Sequence, residues 1–251
     1  MILRRLPGSR FSVVDPEWKG CPAVIIGGGP SLTLQDVELV AYRHSVSDLK
    51  CIAVNDAHLW APWADVSYFA DASWWAQHTA GVPKPMLKLS ADEVRKRFAA
   101  FAGQKCSIES QFGSIHDDTV HILRNARVDG NGRGLHADGL SLEPGALITG
   151  ANGGWQSTNL AFLAGANPII LLGMDAQPAR DGRTHWSGGH REATPQNASE
   201  FYTRSFHRGE PALTVAGVKV YNCSPGSAID AFPKMGLAEA LATCGIVAAP
   251  A

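Results

Sequence analysis

The chain lacks most features that would assign it at once to a large functional class. No run approaches the ~18 apolar residues of a membrane span, and Met1-Ile-Leu-Arg-Arg-Leu-Pro7 has no apolar signal-peptide core. An excess of one charge is missing too. Lys and Arg number 22 against 23 Asp and Glu, so any nucleic acid must meet a local basic patch rather than a global field. The five cysteines (Cys21, Cys51, Cys106, Cys223, Cys244) form no Cys-x-x-Cys pair. Their scatter and odd number argue against a disulfide framework and a cysteine zinc site, and fit reduced thiols. Neither an internal repeat nor a linker interrupts the 251 residues, which suffice for one substantial core. These absences predict a soluble, cytoplasmic protein without a membrane partner, with residues 1–251 folded as a single domain.

What is present centres on Pro22-Ala-Val-Ile-Ile-Gly-Gly-Gly-Pro-Ser-Leu32. Ala23 to Ile26 is a short, apolar, partly β-branched run, as in a strand buried on both faces of a parallel sheet. Gly27, Gly28 and Gly29 follow directly and allow a sharp turn with no side chain between backbone and ligand. Pro30 suits a first helical position, and the Ser31 hydroxyl can cap a helix or bind. A strand, a glycine loop and a helix start expose N–H groups where an anion is favoured. A tight turn without a ligand has the same sequence.

Further elements follow in alternation. A helix is predicted over Thr33 to Tyr42, and strands over Cys51 to Asp56 and Pro62 to Ala72. Ser73 to His78 begins a helix, residues 84 to 89 suit a short strand, and Asp92 to Ala102 a helix. One or two strands fall within Cys106 to Leu123, and Arg124 to Gly139 reads as a mobile loop. A second glycine turn, Asn152-Gly-Gly, opens an apolar helix to Ala164 that Gly165 stops. Pro168-Ile-Ile-Leu-Leu-Gly-Met-Asp175 is the clearest strand. Residues 176 to 211 read as a polar, loop-rich segment, Ala212 to Asn222 as a hairpin or pair of strands, and Leu237 to Cys244 as a helix. The predicted class is α/β, with a mostly parallel sheet, helices on both faces and a loop-rich C-terminal segment.

In such sheets the carboxyl ends of the strands line the ligand crevice. Gly27 to Ser31, Asn55-Asp56, Asp71, Gly173-Met-Asp175 and the turn Asn152, Gly153 and Gly154 all map to that rim. An aspartate after a strand is also a common N-cap. Two frequent ligand classes are excluded. Leu32 stands where the dinucleotide pattern needs its third glycine, and no Gly-Lys-Ser/Thr follows the loop. His185 and His190, in Thr184-His-Trp-Ser-Gly-Gly-His190, are candidate general bases after the last clear strand. Their spacing of five is not that of a helical zinc site, so no metal site is predicted. Exposed loop histidines would look the same. Trp74, Trp75, Trp155 and Trp186 are candidates for stacking on a base or for the core. Arg180, Arg183, Arg191, Arg204 and Arg208 form a local basic segment.

Ile26-Gly-Gly-Gly-Pro-Ser-Leu32 resembles the signature of bacterial sialyltransferase-like proteins. It also resembles that of the related DUF115 group, which includes the archaeal 6-hydroxymethylpterin diphosphokinase. Asn55, the Asn152-Gly-Gly turn and Leu172-Gly-Met-Asp175 follow in the matching order, and the chain is especially similar to phage-encoded members. The resemblance implies a Rossmann-like fold and a nucleotide site at the Gly27 to Ser31 loop, Asn55 and Asn152 to Gly154. It implies a glycosyltransferase that uses a nucleotide-sugar donor, with His190 or His185 as the base. A hydroxymethylated base in phage DNA is the suggested acceptor, and an oligomer is compatible. Two alternatives go with it. One is a diphosphokinase acting on a pterin-like alcohol, with Mg²⁺ on Asp71 and Asp175; the other is a non-catalytic nucleotide binder. The chain has Asn152-Gly153 where the sialyltransferases have Ser-Gly, and Tyr202 is the one tyrosine near their paired positions.

Overall fold

The structure, a computed structural model, describes residues 1–110, 113–126, 139–187 and 198–246, with the backbone alone at residues 198 and 201. The chain opens with an antiparallel hairpin of β1 (Leu3–Arg5) and β2 (Ser12–Val14), ahead of the first strand that the sequence predicts. The first strand of the main sheet, β3 (Ala23–Ile26), coincides with the apolar run. Thr33 Oγ1 then accepts the Asp36 N–H at 3.1 Å and caps α1 (Leu34–Val46). The capping role considered for Ser31 thus falls to Thr33. β4 (Lys50–Val54) stops two residues short of Asp56, because Asn55 takes a positive φ of 52° and begins a 3₁₀ turn over Asn55–Leu59.

β5 is only Val66–Tyr68, and α2 (Ala72–Ala80) follows it. Residues 84 to 89 are not a strand. Pro85 starts a 3₁₀ turn over Pro85–Leu87, Lys88 is left-handed, and one bridge joins Lys84 to Leu89. Ser90 and Glu93 form a capping box at the start of α3 (Ala91–Ala99), before β6 (Gln104–Ile108), β7 (Val120–Asn125) and β8 (Ala146–Leu147). The Arg124 to Gly139 loop reading lies mostly outside the described residues.

α4 (Gly153–Leu163) and β9 (Ile169–Leu172) form as expected, but the segment after them does not. Much of the stretch read as loop is α5 (Ala198–Val215), and of the expected hairpin only β10 (Val220–Asn222) exists, parallel to β9. The helix holds both Gly209 and Pro211. Inside the helix Gly209 is a seat, since a Cβ there would overlap the Trp155 indole. Phe206 and Leu213, on the same face, are buried. α6 (Leu237–Thr243) is the last element among the described residues.

The main sheet has eight strands in the order β10-β9-β3-β4-β5-β6-β7-β8, all parallel. Its central strands are buried on both faces, which explains their unbroken apolar runs. Ala23, Ile25, Ile52, Val54, Ile169 and Leu171 face one core with Trp155 and Leu160 of α4 and Phe206 and Leu213 of α5. Val24, Ile26, Cys51, Ala53, Ile170 and Leu172 face another with Val37 and Val40 of α1 and Leu237 and Leu241 of α6. All five cysteines are free. Among the described residues no helix is long and apolar enough to cross a membrane.

Candidate functional site

Strand order reverses at β3. The chain runs outward from it through β4 to β8 on one side, and β9 and β10 are added on the other. In open α/β sheets the carboxyl ends at such a switch point are where ligands bind. The loops meeting there are Gly27 to Ser31 after β3, Asn55 after β4, Gly173 to Asp175 after β9, and the N-terminus of α4. Among the described residues, four other than glycine have positive φ, and three lie on these loops: Asn55, Ala151 and Ala176. Such strain persists where surrounding structure holds it, and it gathers at functional sites.

The glycine loop is less open than its sequence implies. Gly27 N–H donates to Leu172 O at 2.8 Å and Gly29 N–H to Gly173 O at 2.7 Å. Ser31 donates twice to Asp175 Oδ2, from its hydroxyl at 2.9 Å and from its N–H at 3.3 Å. A Cβ at Gly29 would overlap that carboxylate oxygen, so the third glycine admits Asp175 rather than a ligand. Burial pushes the Asp175 carboxyl above its ordinary value, against the Ser31 bonds. Pro30 has no N–H to give. Among the described residues, only the Gly28 N–H of this loop has no acceptor.

The α4 turn is also partly closed on itself. Asn152 is its N-cap, accepting from Gly154 N–H at 2.8 Å and Trp155 N–H at 3.3 Å, while its amide donates to Tyr202 O at 3.0 Å. Gly154 packs on Met174. What faces the crevice is Gly153, with Asn55 Nδ2 4.0 Å from where a Gly153 Cβ would stand. Asn152 and Gly154 are therefore scaffold, and the half-buried Gly153 and Asn55 carry the groups not spent within the turn.

His185 lies over the same loop, its Cδ2 3.0 Å and Nε2 3.5 Å from where a Gly28 Cβ would stand. Three neighbouring contacts hold it there. Trp186 N–H donates to Gly28 O at 3.2 Å, its indole stacks on Trp60 at 3.8 Å, and Ser187 Oγ donates to Asp56 Oδ2 at 3.1 Å. His190 lies outside the described residues.

Asp56 is the feature that sequence reasoning undervalued. Besides Ser187 it accepts from His78 Nε2 at 3.0 Å, from Trp74 Nε1 at 3.2 Å and from the Lys84 ammonium. Burial alone would push its carboxyl up, but the His78 bond and Lys84 hold it well below the usual carboxylate range. With both oxygens saturated it is a brace, not a base. His58 Nδ1–H donates to Asn55 O at 2.8 Å and so supports the strained Asn55 backbone, while His58 Nε2 is buried and has no partner among the described residues. Burial pushes His58 down to about 4. The one sequence cue to this brace was the polar pair Asn55-Asp56 ending a buried strand.

Asp71 occupies the N-cap position of α2, is exposed and makes no capping bond. Three strand spacings of ~4.8 Å separate β5 from β9, putting Asp71 roughly 14 Å from Asp175 along the sheet. That separation does not suit one Mg²⁺, whose bonds are about 2 Å. Among the described residues no three His, Cys, Asp or Glu side chains group as metal ligands. Of the tryptophans, Trp155 and Trp186 are buried, and Trp74 stacks on His78 at 3.6 Å.

No protein-family model matches the chain, and no curated protein matches it. Among solved structures it is similar to the MAf glycosyltransferase from Magnetospirillum magneticum AMB-1, with 14% identity and a TM-score of 0.51 over 90% of this chain. The chain spans about a third of that protein's length, 35%. At this identity the likeness shows the α/β fold, with its Rossmann-like parallel sheet, and nothing finer.

Proposed function

We propose that the chain is a glycosyltransferase, with a nucleotide-sugar donor in the crevice between β9, β3, β4 and the start of α4. The observation that carries this reading is His185 over the unpartnered Gly28 N–H at the end of β3, with the Asn55 amide beside Gly153 at the end of the adjacent β4. The glycosyltransferase neighbour and the resemblance of Ile26 to Leu32 to the sialyltransferase-like group support it.

In this reading the donor phosphate lies against Gly28, Gly153 and Asn55. These groups stabilise the charge that develops as the sugar leaves. His185 takes the proton of the acceptor hydroxyl, its oxygen bonds to the anomeric carbon, and the electron pair of the breaking C–O bond passes to phosphate. His190 is the second candidate base. The acceptor in the finer form of the reading is a hydroxymethylated base in DNA. Binding to such DNA should weaken steeply with salt, and salt-insensitive binding contradicts it.

The test is release of free nucleotide from CMP-, UDP- and GDP-sugars with and without EDTA. Turnover that survives EDTA, falls at least 100-fold in His185→Ala and leaves donor affinity within twofold supports the reading with His185 as base. Unchanged turnover in His185→Ala moves the base role to His190. Loss of nucleotide binding with EDTA favours the diphosphokinase, and nucleotide binding without any turnover favours the binder.

A further inference from the structure

The two sides of the crevice offer opposite chemistry. On the β4 side, Gly28, Gly153 and Asn55 present donors. On the β9 side, the donors of Ser31 are already spent on Asp175. Asp175 is only 6% exposed, and both Ser31 bonds fall on one of its oxygens, Oδ2. Among the described residues Oδ1 accepts nothing from the protein, and it is not one of the fully enclosed unpartnered atoms, so it reaches solvent at the crevice. An acceptor on a largely buried carboxylate, with its other oxygen already bonded to Ser31, is preset to take a ligand donor in place of water. Burial pushes its carboxyl up, against the Ser31 bonds.

Resting on the proposed function, we infer that Asp175 sets the direction in which the nucleotide lies. Its carboxylate fills the anion position at Ser31, repels phosphate there, and accepts a hydroxyl of a neutral moiety through Oδ1. Phosphate is thereby left to the Gly28 and Gly153 side. The recognised chemistry is a sugar hydroxyl, whether on the ribose or on the transferred sugar. Asp175 is thus a specificity-determining residue and neither a metal ligand nor a base. Asp175→Asn keeps an oxygen for Ser31 but turns the second acceptor into a donor, reversing the preference at that end.

The test is calorimetric titration of wild type and Asp175→Asn with inorganic pyrophosphate, with CMP, UDP, GDP and ADP, and with their sugar conjugates. The expected result is pyrophosphate binding at least fivefold tighter in Asp175→Asn, with at least tenfold weaker binding of the preferred ligand. If the lost affinity is already seen with the nucleotide, the hydroxyl belongs to ribose; if only with the conjugate, to the sugar. Equal pyrophosphate affinity in both proteins, or undiminished ligand affinity in the variant, overturns the inference. Should the variant not fold, wild type alone decides. The preferred ligand must then lose at least tenfold in its 2′,3′-dideoxy form or in the 2-deoxy form of its sugar, and no loss in either overturns the inference. If no nucleotide binds wild type, the glycosyltransferase reading fails, and the pyrophosphate arm still decides whether Asp175 excludes anions.

Discussion

A Cβ at position 209 would gain helix propensity and cost Trp155 its seat. The gain from Gly to Ala in a helix is about 1 kcal/mol, whereas overpacking a core costs roughly 1–3 kcal/mol. The overlap falls on the rigid ring of a fully buried tryptophan, so the second effect wins. Gly209→Ala should lower the urea-unfolding free energy by about 1 kcal/mol, and a stabilised variant would show that Trp155 can shift freely. Asn55 separates backbone from side chain in a similar way. Its φ of 52° costs a residue such as Ala about 1–2 kcal/mol and costs Gly almost nothing. Asn55→Gly should therefore stay within about 0.5 kcal/mol of wild type in stability yet lose nucleotide affinity, while Asn55→Ala loses both. Thermal melting alongside ligand titration distinguishes them.

His58 gives the molecule a pH signature. Unfolded, its imidazole takes a proton below about 6.5; folded, burial delays this until about 4. Between those values the unfolded chain binds more protons, so stability falls as pH falls, by about 1.4 kcal/mol per unit and about 3 kcal/mol in all. Asp56 acts lower down, its contribution being present above the usual carboxylate range and lost as pH drops below it. His58→Phe should flatten the stability profile between pH 6.5 and 4 and leave the steeper loss below pH 4. An unchanged slope between 6.5 and 4 would rule out His58 as its source.

At the scale of elements, Asp56 joins pieces that are remote in sequence. The 3₁₀ turn after β4, Trp74 and His78 of α2, Lys84 and Ser187 all close on one carboxylate. Asp56→Asn replaces an acceptor by a donor that must face donors already there. Breaking a buried pair in this way costs about 3–5 kcal/mol, and the loss of Ser187 also frees His185. Unfolding free energy and donor turnover should fall together, whereas Ser187→Ala should lower turnover with a stability change under about 1 kcal/mol. The sheet was legible because strands buried on both faces write continuous apolar runs, as Ala23 to Ile26 and Ile169 to Leu172 do. α5 was not, because the place of Gly209 in a helix is set by the remote Trp155 indole. The Asp56 brace was hidden for the same reason, its donors lying 18 to 131 positions away. Asn55, Gly28 and His185 were legible as types at strand ends. The contact of Asp175 with Ser31 was not, since nothing local marks a glycine as making room for a carboxylate.

At the scale of the molecule, one rim gathers the Gly28 N–H, three of the four non-glycine residues of positive φ among the described residues, and His185. The central claim is that this rim binds a nucleotide sugar, and a thermal-shift panel of CMP-, UDP-, GDP- and ADP-sugars tests it most directly. A ligand at 100 times its dissociation constant adds about 2.7 kcal/mol. For a chain of this size that is a rise in Tm of roughly 5–10 °C. The account predicts a saturable rise of this order with one nucleotide class, lost in Asn55→Gly. No rise with any of them, or a rise that Asn55→Gly leaves intact, would contradict it.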